Sequence, residues 1–312
     1  MAYHPRIESS QYASFLTTRS RNSRLWFVNN SPLEKSILGY AAKYADRYGV
    51  KLYALAVEGN HIQAPAAFPL ENRAHFMRDL NSSVARAVPR HTPEYDGGRF
   101  WARRYSSEFL PGAEDVEEYF FYTVLQPIKD GLVERLSDYP GYNCFNDAVK
   151  GIERPFKVVN WAEYYAAKRS NPRVPMKDYV ETVFLKYERL PGYEHLSQAQ
   201  YEKIMRDKLE QRRLAIVAER MNRGLCFVGT TALRKVKRGS LPKQSKTSDR
   251  MSHRPRVLSI CNHRRAACRA WYFQIYYDFK DASCAYRSGD AEVIFPPGTY
   301  KPYCTGAPPI QG

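Results

Sequence analysis

Two polar residues stand two positions apart after an apolar run, a spacing at which two side chains can share one ligand. The run 52–57 enters a Gly59-Asn60 turn and leaves as a second extended segment that carries His61 and Gln63. Because side chains alternate across a strand, His61 and Gln63 are expected on one face, with Ile62 in the opposite face. The pair could bind a metal ion, or it could be the solvated face of a half-buried strand.

A tyrosine and a glutamine four positions apart could supply a reacting group. Tyr122 and Gln126 fall in a predicted helix at 114–136, so they share one helix face. Pro127 is expected to kink or loosen this helix just after Gln126. A phenolic oxygen can attack a phosphodiester that a metal ion polarises, which leaves a covalent phosphotyrosine. Alternatively, Tyr122 is one of 24 tyrosines and only packs.

The whole chain carries a strong positive charge, which favours a polyanionic partner. Its 312 residues include 48 Lys and Arg against 32 Asp and Glu, a formal net charge of +16. With 24 tyrosines and 15 phenylalanines, this composition suits single-stranded nucleic acid, whose phosphates pair with cations while its bases stack on rings. A ribosome-associated or merely basic soluble protein is the open alternative.

Other features of the sequence concern the cellular setting. The N-terminal residues lack an apolar signal core, and no stretch approaches the roughly 20 apolar residues of a membrane span. The six cysteines form no C-x-x-C pair, so we expect ordinary thiols in a reducing cytoplasm rather than a zinc site. The sequence thus predicts a cytoplasmic protein with no membrane partner.

The elements that must position these residues alternate between strands and helices. Strands are predicted at 11–18, on both sides of Gly59-Asn60 and at 99–105; helices are predicted at 31–49, from 68 and at 114–136. Ser31 is the predicted N-cap of the first helix. This order favours an α+β fold of the ferredoxin-like (RRM-like) class, an antiparallel sheet with helices on one face.

The rest of the chain predicts a mostly helical, basic C-terminal extension. Helices are predicted at 160–168, 177–186, 197–223 and 264–286. Residues 234–256 are rich in Lys and Arg with Gly, Ser and Pro between them, which is typical of a linker or a disordered arm. We therefore expect a first domain at 1–150, a helical extension at 151–233, and a basic arm with the C-terminal region at 234–312.

Ordered motifs give the first half a resemblance to a known family. The run 52–63 resembles the strand of single-tyrosine HUH transposases that ends in Asn-His-Val-His, and residues 76–82 resemble the helix after it. Residues 100–105 resemble the family's Trp-x-x-Arg-Tyr strand, and residues 122–133 resemble Tyr-Ile-x-x-Asn-Pro-Val-x-x-Gly-Leu-Val. The best match is the REP-associated tyrosine transposase branch of the insertion-sequence transposases. Residues 1–150 would then be an HUH-type catalytic domain.

The resemblance implies a role for each matched residue. Tyr122 matches the nucleophile, His61 the first histidine of the metal pair, and Gln126 a third polar ligand. Gln63 stands where the family has its second histidine. Its amide oxygen suits Mg²⁺ or Mn²⁺, the expected cofactors, but is a weaker ligand than imidazole for softer metals. Six arginines are candidate contacts to DNA phosphates, with a solvated basic face as the alternative: Arg19, Arg21, Arg24, Arg78, Arg103 and Arg104.

The implied function is cleavage and rejoining of single-stranded DNA beside a hairpin, through a 5′-phosphotyrosine and a free 3′-OH. Because Gln63 departs from the family pattern, a second hypothesis is a catalytically weakened, domesticated transposase that binds DNA hairpins. A third is an RNA-binding protein on a ferredoxin-like sheet. The expected partner is single-stranded or hairpin DNA, with a homodimer as one option, in a cytoplasmic, nucleoid-associated setting.

Overall fold

The structure, a computed structural model, describes residues 5–242 and 256–302. Its first half contains a five-stranded sheet in which β1 (Ala13–Arg19) and β4 (His61–Ala67) are the central pair. β5 (Ser106–Leu110) flanks β1, while β2 (Lys51–Leu52) and β3 (Ala56–Glu58) both pair with β4. All these pairings are antiparallel, so the predicted α+β class and its antiparallel sheet are confirmed.

Four helices accompany this sheet: α1 (Ser31–Arg47), α2 (Arg73–His91), α3 (Ala113–Val124) and α4 (Gln126–Lys129). The N-cap of α1 is Asn30, whose side-chain oxygen accepts from the Leu33 amide at 3.2 Å, so the cap lies one residue before the predicted Ser31. The long helix predicted at 114–136, which carries Tyr122 and which we call the tyrosine helix, is interrupted at Leu125, which separates α3 from α4. Pro127 predicted a break just after Gln126, but the observed break lies just before it. Proline is tolerated in the first turn of a helix, so Pro127 lies inside α4.

The helices lie on both faces of the sheet. Arg73 of α2 donates a hydrogen bond to the Ser14 hydroxyl of β1 at 2.8 Å. On α3, the rings of Tyr119 and Tyr122 contact the ring of Phe15, with centroids 4.8 and 5.6 Å away. Ser14 and Phe15 are neighbours in β1, so their side chains point to opposite faces. The tyrosine helix therefore lies opposite α2, which differs from the one-face arrangement that the ferredoxin-like plan predicted.

The segment 99–105, predicted as a strand, is irregular. Trp101 forms only an isolated bridge with Ser20, and the regular strand of this region, β5, begins at Ser106. The Trp101 indole donates to the Asn81 carbonyl at 2.9 Å, and its ring packs against Phe100 at 4.7 Å. The alternation of rings and arginines in this segment thus reflects aromatic side chains that pack inward from a loop.

After α5 (Phe145–Lys150), the extension begins with a two-stranded sheet of β6 (Arg154–Val159) and β7 (Val180–Leu185). The helix predicted at 177–186 is therefore wrong. Residues 180–185 alternate between exposed and more buried side chains, the period-two pattern of a strand. The other predicted helices are confirmed as α6 (Trp161–Ser170), α7 (Gln198–Asn222) and, after the short α8 (Thr230–Arg234), α9 (Asn262–Arg287).

The extension contacts the first half of the chain at several points. The Leu25 amide donates to the Ser240 carbonyl at 2.9 Å, and the Gly239 amide donates back to the Leu25 carbonyl at 3.0 Å. Val257 forms a parallel bridge with Phe109 of β5. Residues 243–255 of the predicted basic arm lie outside the described residues, and the boundaries at 150 and 233 stay predictions. Within the described ranges, no helix is long and apolar enough to cross a membrane.

A glycine sets how closely the two-stranded sheet approaches α1. A Cβ atom on Gly39 would lie 2.7 Å from Val158 Cγ2 and 3.3 Å from Phe156 Cβ. Gly39 is buried inside a helix, where glycine is otherwise unfavourable by about 1 kcal/mol relative to alanine. The residue type is therefore explained by the close contact between α1 and β6.

We expect Gly39→Ala to destabilise the protein, although alanine favours the helix. Overpacking of a close contact costs about 1–3 kcal/mol, which exceeds the gain in helix propensity. Thermal unfolding followed by circular dichroism should show a lower Tm for Gly39→Ala than for the exposed control Lys35→Ala on the same helix. A Tm that rises in Gly39→Ala would contradict the close contact.

Candidate active site at the tyrosine helix

His61 begins β4 and is held in one tautomer by its neighbour. The Asn60 side-chain nitrogen donates to the Ser23 carbonyl at 2.8 Å, which turns the Asn60 side-chain oxygen toward the imidazole. His61 Nδ1 lies 2.9 Å from that oxygen and must donate to it, because an amide oxygen only accepts. The Nε2 atom of a neutral His61 therefore carries the lone pair, as a metal-ligating histidine requires.

The turn before His61 is fixed by close packing. The Phe27 amide donates to the Gly59 carbonyl at 3.0 Å, and a Cβ atom on Gly59 would lie 2.8 Å from Leu25 Cδ2. The Ser20 amide donates to the Asn60 carbonyl at 2.8 Å. A side chain at position 59 would push the turn away from the loop that follows β1, and so displace His61.

The structure brings together Gln126 and His61, two residues that the family resemblance predicted as ligands. Gln126 is the first residue of α4, and its Nε2 lies 3.3 Å from His61 Nε2. Because His61 Nε2 carries the lone pair, the Gln126 amide donates here. The same nitrogen lies 3.4 Å from an Asp130 carboxylate oxygen, one helical turn further on. The Gln126 side-chain oxygen is buried and has no hydrogen-bond partner.

Tyr122 lies on the same face of the sheet as His61 and Gln63. Its ring packs edge-on against Phe15, which is on the face that carries Gln63, since Thr17 pairs with Gln63 and Phe15 is two residues away. The Gln63 side chain donates a hydrogen bond to the Tyr122 hydroxyl, which lowers the pKa of that phenol. The candidate nucleophile and the candidate second ligand are thus in direct contact.

The net effect of the surroundings is to raise the pKa of Tyr122. Burial is the largest cause, followed by the negative charges of Asp130 and Glu58, while Gln63 and Arg19 act in the opposite direction. The Lys129 ammonium lies 4.5 Å from the centre of the Tyr122 ring. These surroundings therefore favour the neutral phenol, and additional positive charge near the oxygen would favour the phenolate.

Glu58 is a site residue that the sequence motifs did not reveal. It ends β3 and pairs directly with His61 in the antiparallel register. Burial and the nearby Asp130 raise the pKa of Glu58 well above its usual range. The one available signal was a carboxylate at the end of an otherwise apolar run, immediately before the Gly59-Asn60 turn.

The donor atoms of this site suit a hard divalent cation. The side-chain oxygens of Glu58, Gln63 and Gln126 each include one that is buried and without a hydrogen-bond partner. Together with an imidazole nitrogen, amide and carboxylate oxygens are the ligands that Mg²⁺ and Mn²⁺ accept. Among the described residues there is no group of three or more His, Cys, Asp or Glu side chains that could hold a metal, so the glutamine oxygens are the further candidate ligands here.

The backbone places five of the six predicted DNA-contacting arginines on neighbouring segments at one end of the sheet. The Ala102 amide donates to the Arg19 carbonyl at 2.9 Å, and the Arg21 amide donates to the Phe100 carbonyl at 2.7 Å. These bonds align the end of β1 with the loop that carries further arginines. The resulting set, which we call the arginine edge, consists of Arg19, Arg21, Arg24, Arg103 and Arg104.

The sixth arginine lies elsewhere. Arg78 is on α2, the helix on the opposite face of the sheet from Tyr122, and its Nε forms a 2.7 Å ion pair with Asp79. Its guanidinium also contacts the Tyr48 hydroxyl at 3.4 Å. The structure therefore does not bring Arg78 to the candidate active site.

The fold and site define an α+β domain that holds a tyrosine beside a histidine and three buried side-chain oxygens. Residues 8–120 match the family model described as IS200-like transposase. This match, which covers about a third of the chain, agrees with the transposase family that the sequence motifs predicted. The matched segment includes His61 and Gln63 and ends two residues before Tyr122.

Two solved structures are also similar to the chain. One is a REP-associated tyrosine transposase bound to a REP hairpin, at 16% identity and a TM-score of 0.40, covering 56% of this chain and 90% of that one. The other is a candidate transposase from Deinococcus radiodurans r1, at 19% identity and a TM-score of 0.27, covering 36% and 89%. No curated protein matches the chain significantly.

The contact between Gln63 and Tyr122 can be tested by titration. We expect Gln63→Leu to raise the pKa of the Tyr122 phenol further, because the variant removes the donor that stabilises the phenolate. NMR of protein labelled with ¹³C at the tyrosine ζ carbon would follow this, with Tyr122→Phe to assign the signal. Gln11→Leu, a change at an exposed position just before β1, should leave the titration unchanged. A Tyr122 signal unmoved by Gln63→Leu would exclude the contact.

Proposed function

We propose that this protein is a divalent-metal-dependent transposase that cleaves and rejoins single-stranded DNA beside a hairpin, with Tyr122 as the nucleophile. The observation that carries the proposal is the contact of the Tyr122 hydroxyl with Gln63, on the sheet face shared with His61 and Gln126. The IS200-like family of residues 8–120 supports a DNA-processing role. The narrower placement in the REP-associated tyrosine branch rests on the motif resemblance.

In the proposed reaction the Tyr122 oxygen attacks the scissile phosphorus. A bond from the phenolic oxygen to phosphorus forms as the bond to the 3′-oxygen breaks; the phenol loses one proton and the 3′-oxygen gains one. The product is a 5′-phosphotyrosine and a free 3′-OH. Because the phosphodiester is exchanged rather than hydrolysed, resealing requires neither water nor a nucleotide. Gln63 orients the phenolic oxygen and stabilises its negative charge through the amide N–H.

The remaining residues provide charge and orientation. His61 through Nε2, and Gln63 and Gln126 through their amide oxygens, would hold Mg²⁺ or Mn²⁺, which when bound would polarise the scissile phosphate. Asn60 keeps His61 in the required tautomer. The arginine edge begins at Arg19, beside Tyr122, and would bind the phosphates that flank the cleavage point.

A catalytically weakened protein that binds DNA hairpins is the second candidate, and Gln63 is the observation that favours it. An amide in place of the second imidazole is a weaker ligand for the softer metals, and burial raises the pKa of Tyr122. Both effects reduce cleavage without affecting the arginine edge. A homodimer is compatible with either function and stays a prediction.

The proposed nucleophile can be tested with a single-stranded oligonucleotide that carries a hairpin. Wild-type protein incubated with it and Mn²⁺ or Mg²⁺ is expected to give a covalent protein–DNA band on a denaturing gel. Tyr122→Phe should abolish the band, because it removes the attacking oxygen. Tyr119→Phe is the matched control: its ring centroid lies 5.6 Å from that of Tyr122 on the same helix, and the band should persist.

Three outcomes separate the hypotheses. A band that survives in Tyr122→Phe would exclude Tyr122 as the nucleophile. A hairpin that binds wild type without any band, combined with a band in Gln63→His, would establish the weakened-transposase alternative. Preference for RNA over the same DNA sequence in a competition assay would favour the RNA-binding hypothesis.

The arginine edge predicts how binding depends on salt. We expect Arg21→Ala and Arg103→Ala each to weaken hairpin binding and to reduce the slope of log K against log salt by about 1, as loss of one phosphate contact does. Arg78→Ala, on the other face of the sheet, should leave the slope unchanged. Fluorescence anisotropy at several salt concentrations would measure these slopes. Equal effects of all three substitutions would contradict the assignment of the edge.

A further inference from the structure

The proposed reaction leaves one buried carboxyl group without a role. Glu58 is 5% exposed, and its Oε1 atom has no hydrogen-bond partner. Burying a carboxylate without a partner is costly, so such a group is either protonated or bound to a cation. Glu58 is therefore either a neutral carboxyl group or a carboxylate that binds a cation.

The sheet places Glu58 beside the proposed metal ligands. Glu58 of β3 is directly opposite His61 of β4, and Ala56 is directly opposite Gln63. Side chains at directly opposite positions of an antiparallel pair lie on the same face, with Cβ atoms about 4.5–5.5 Å apart. The Glu58 carboxyl therefore shares a face with His61 and Gln63, within reach of an ion held between them.

The polar atoms around this point suit a cation rather than an anion. Glu58, Gln63 and Gln126 are 5%, 5% and 7% exposed, and each has one buried side-chain oxygen without a donor. Asp130 adds a further carboxylate close to Gln126. Three unsatisfied acceptors from three separate elements, β3, β4 and α4, cannot satisfy one another, whereas all three oxygens can coordinate one divalent cation.

A carboxylate ligand also accounts for the substitution at position 63. An amide at this position leaves the proposed site with one imidazole and two neutral oxygens, a set without negative charge. Affinity for Mg²⁺ and Mn²⁺ depends on the number of carboxylates among the ligands. A single anionic ligand on the neighbouring strand restores both charge and hard-donor character.

We propose that Glu58 is a ligand of the divalent cation, and that its carboxylate compensates for the glutamine at position 63. This inference rests on the proposed function, since it concerns the same metal. The ligand set is then His61 Nε2, a Glu58 carboxylate oxygen and the amide oxygens of Gln63 and Gln126. In the opposing interpretation Glu58 stays protonated beside the small cavity of about 10 Å³ that it lines with Thr123, Pro127 and Tyr139, which has room for about one water molecule.

The test measures metal binding directly. Mn²⁺ is titrated into the full-length protein, and free Mn²⁺ is quantified by room-temperature electron paramagnetic resonance. We expect Glu58→Gln, which keeps the size of the side chain, to weaken Mn²⁺ binding at least about 10-fold. Glu108→Gln is the matched control, because Glu108 is also a buried carboxyl on the same face of the sheet, opposite Phe15 on β5. This control should bind Mn²⁺ as wild type does.

A second measurement guards against misfolding. Each variant is unfolded thermally with and without Mn²⁺, since a cation bound only by the folded state raises Tm. The Mn²⁺-induced rise should be smaller in Glu58→Gln than in wild type, with similar Tm values in chelator. Equal Mn²⁺ affinity in wild type and Glu58→Gln overturns the role of Glu58 but leaves the proposed function intact. Wild type that binds no Mn²⁺ overturns both the role of Glu58 and the metal-dependent function.

Discussion

The antiparallel pairing of β1 with β4 is the constraint on which the candidate site depends. In this register Arg19 is opposite His61 and Thr17 is opposite Gln63, while the other edge of β4 sets Glu58 opposite His61. A slip of one residue would turn every one of these side chains to the other face of the sheet. The buried apolar residues Leu16, Ile62 and Ala64 prevent such a slip, because it would turn them toward the tyrosine helix. The apolar face of the sheet thus fixes the strand register, and the register places the polar side chains of the candidate site on the other face.

The charges on the polar face of the sheet disfavour ionisation of Tyr122. Tyr122 is largely buried and lies near the carboxyl groups of Asp130 and Glu58, and both factors disfavour the phenolate. Arg19 and the Gln63 amide oppose this effect but do not outweigh it. Bound DNA would add further negative charge at the same place. A divalent cation held by Glu58, Gln63 and Gln126, as proposed, would reverse the balance, since it would neutralise the carboxylates and stabilise the phenolate together.

Much of the candidate site could be predicted from sequence because its residues are paired at short spacings. His61 with Gln63 on a strand, and Tyr122 with Gln126 on a helix, follow from periods of two and about four residues. Contact between these two pairs depends on the tertiary structure, and only the family resemblance predicted it. Glu58 was missed because it becomes a neighbour of His61 only through the turn at Gly59-Asn60. The fold was predicted least well where local patterns compete: segment 99–105 alternates without forming a strand, and β7 carries charged residues that suggested a helix.

Glutamine at position 63, in place of the family's second histidine, also offers an advantage for the proposed reaction. A side-chain amide presents its oxygen and its N–H group on the same carbon, so one planar group can bind a cation through oxygen while it donates to a phenolic oxygen through nitrogen. In this structure the donor side is already used, because Gln63 donates to the Tyr122 hydroxyl, and the oxygen side is buried without a partner. The free acceptor and the occupied donor belong to one group, so a cation bound at Gln63 Oε1 would polarise the amide and strengthen its hydrogen bond to the nucleophile. Binding of the metal and stabilisation of the phenolate are then coupled through a single side chain.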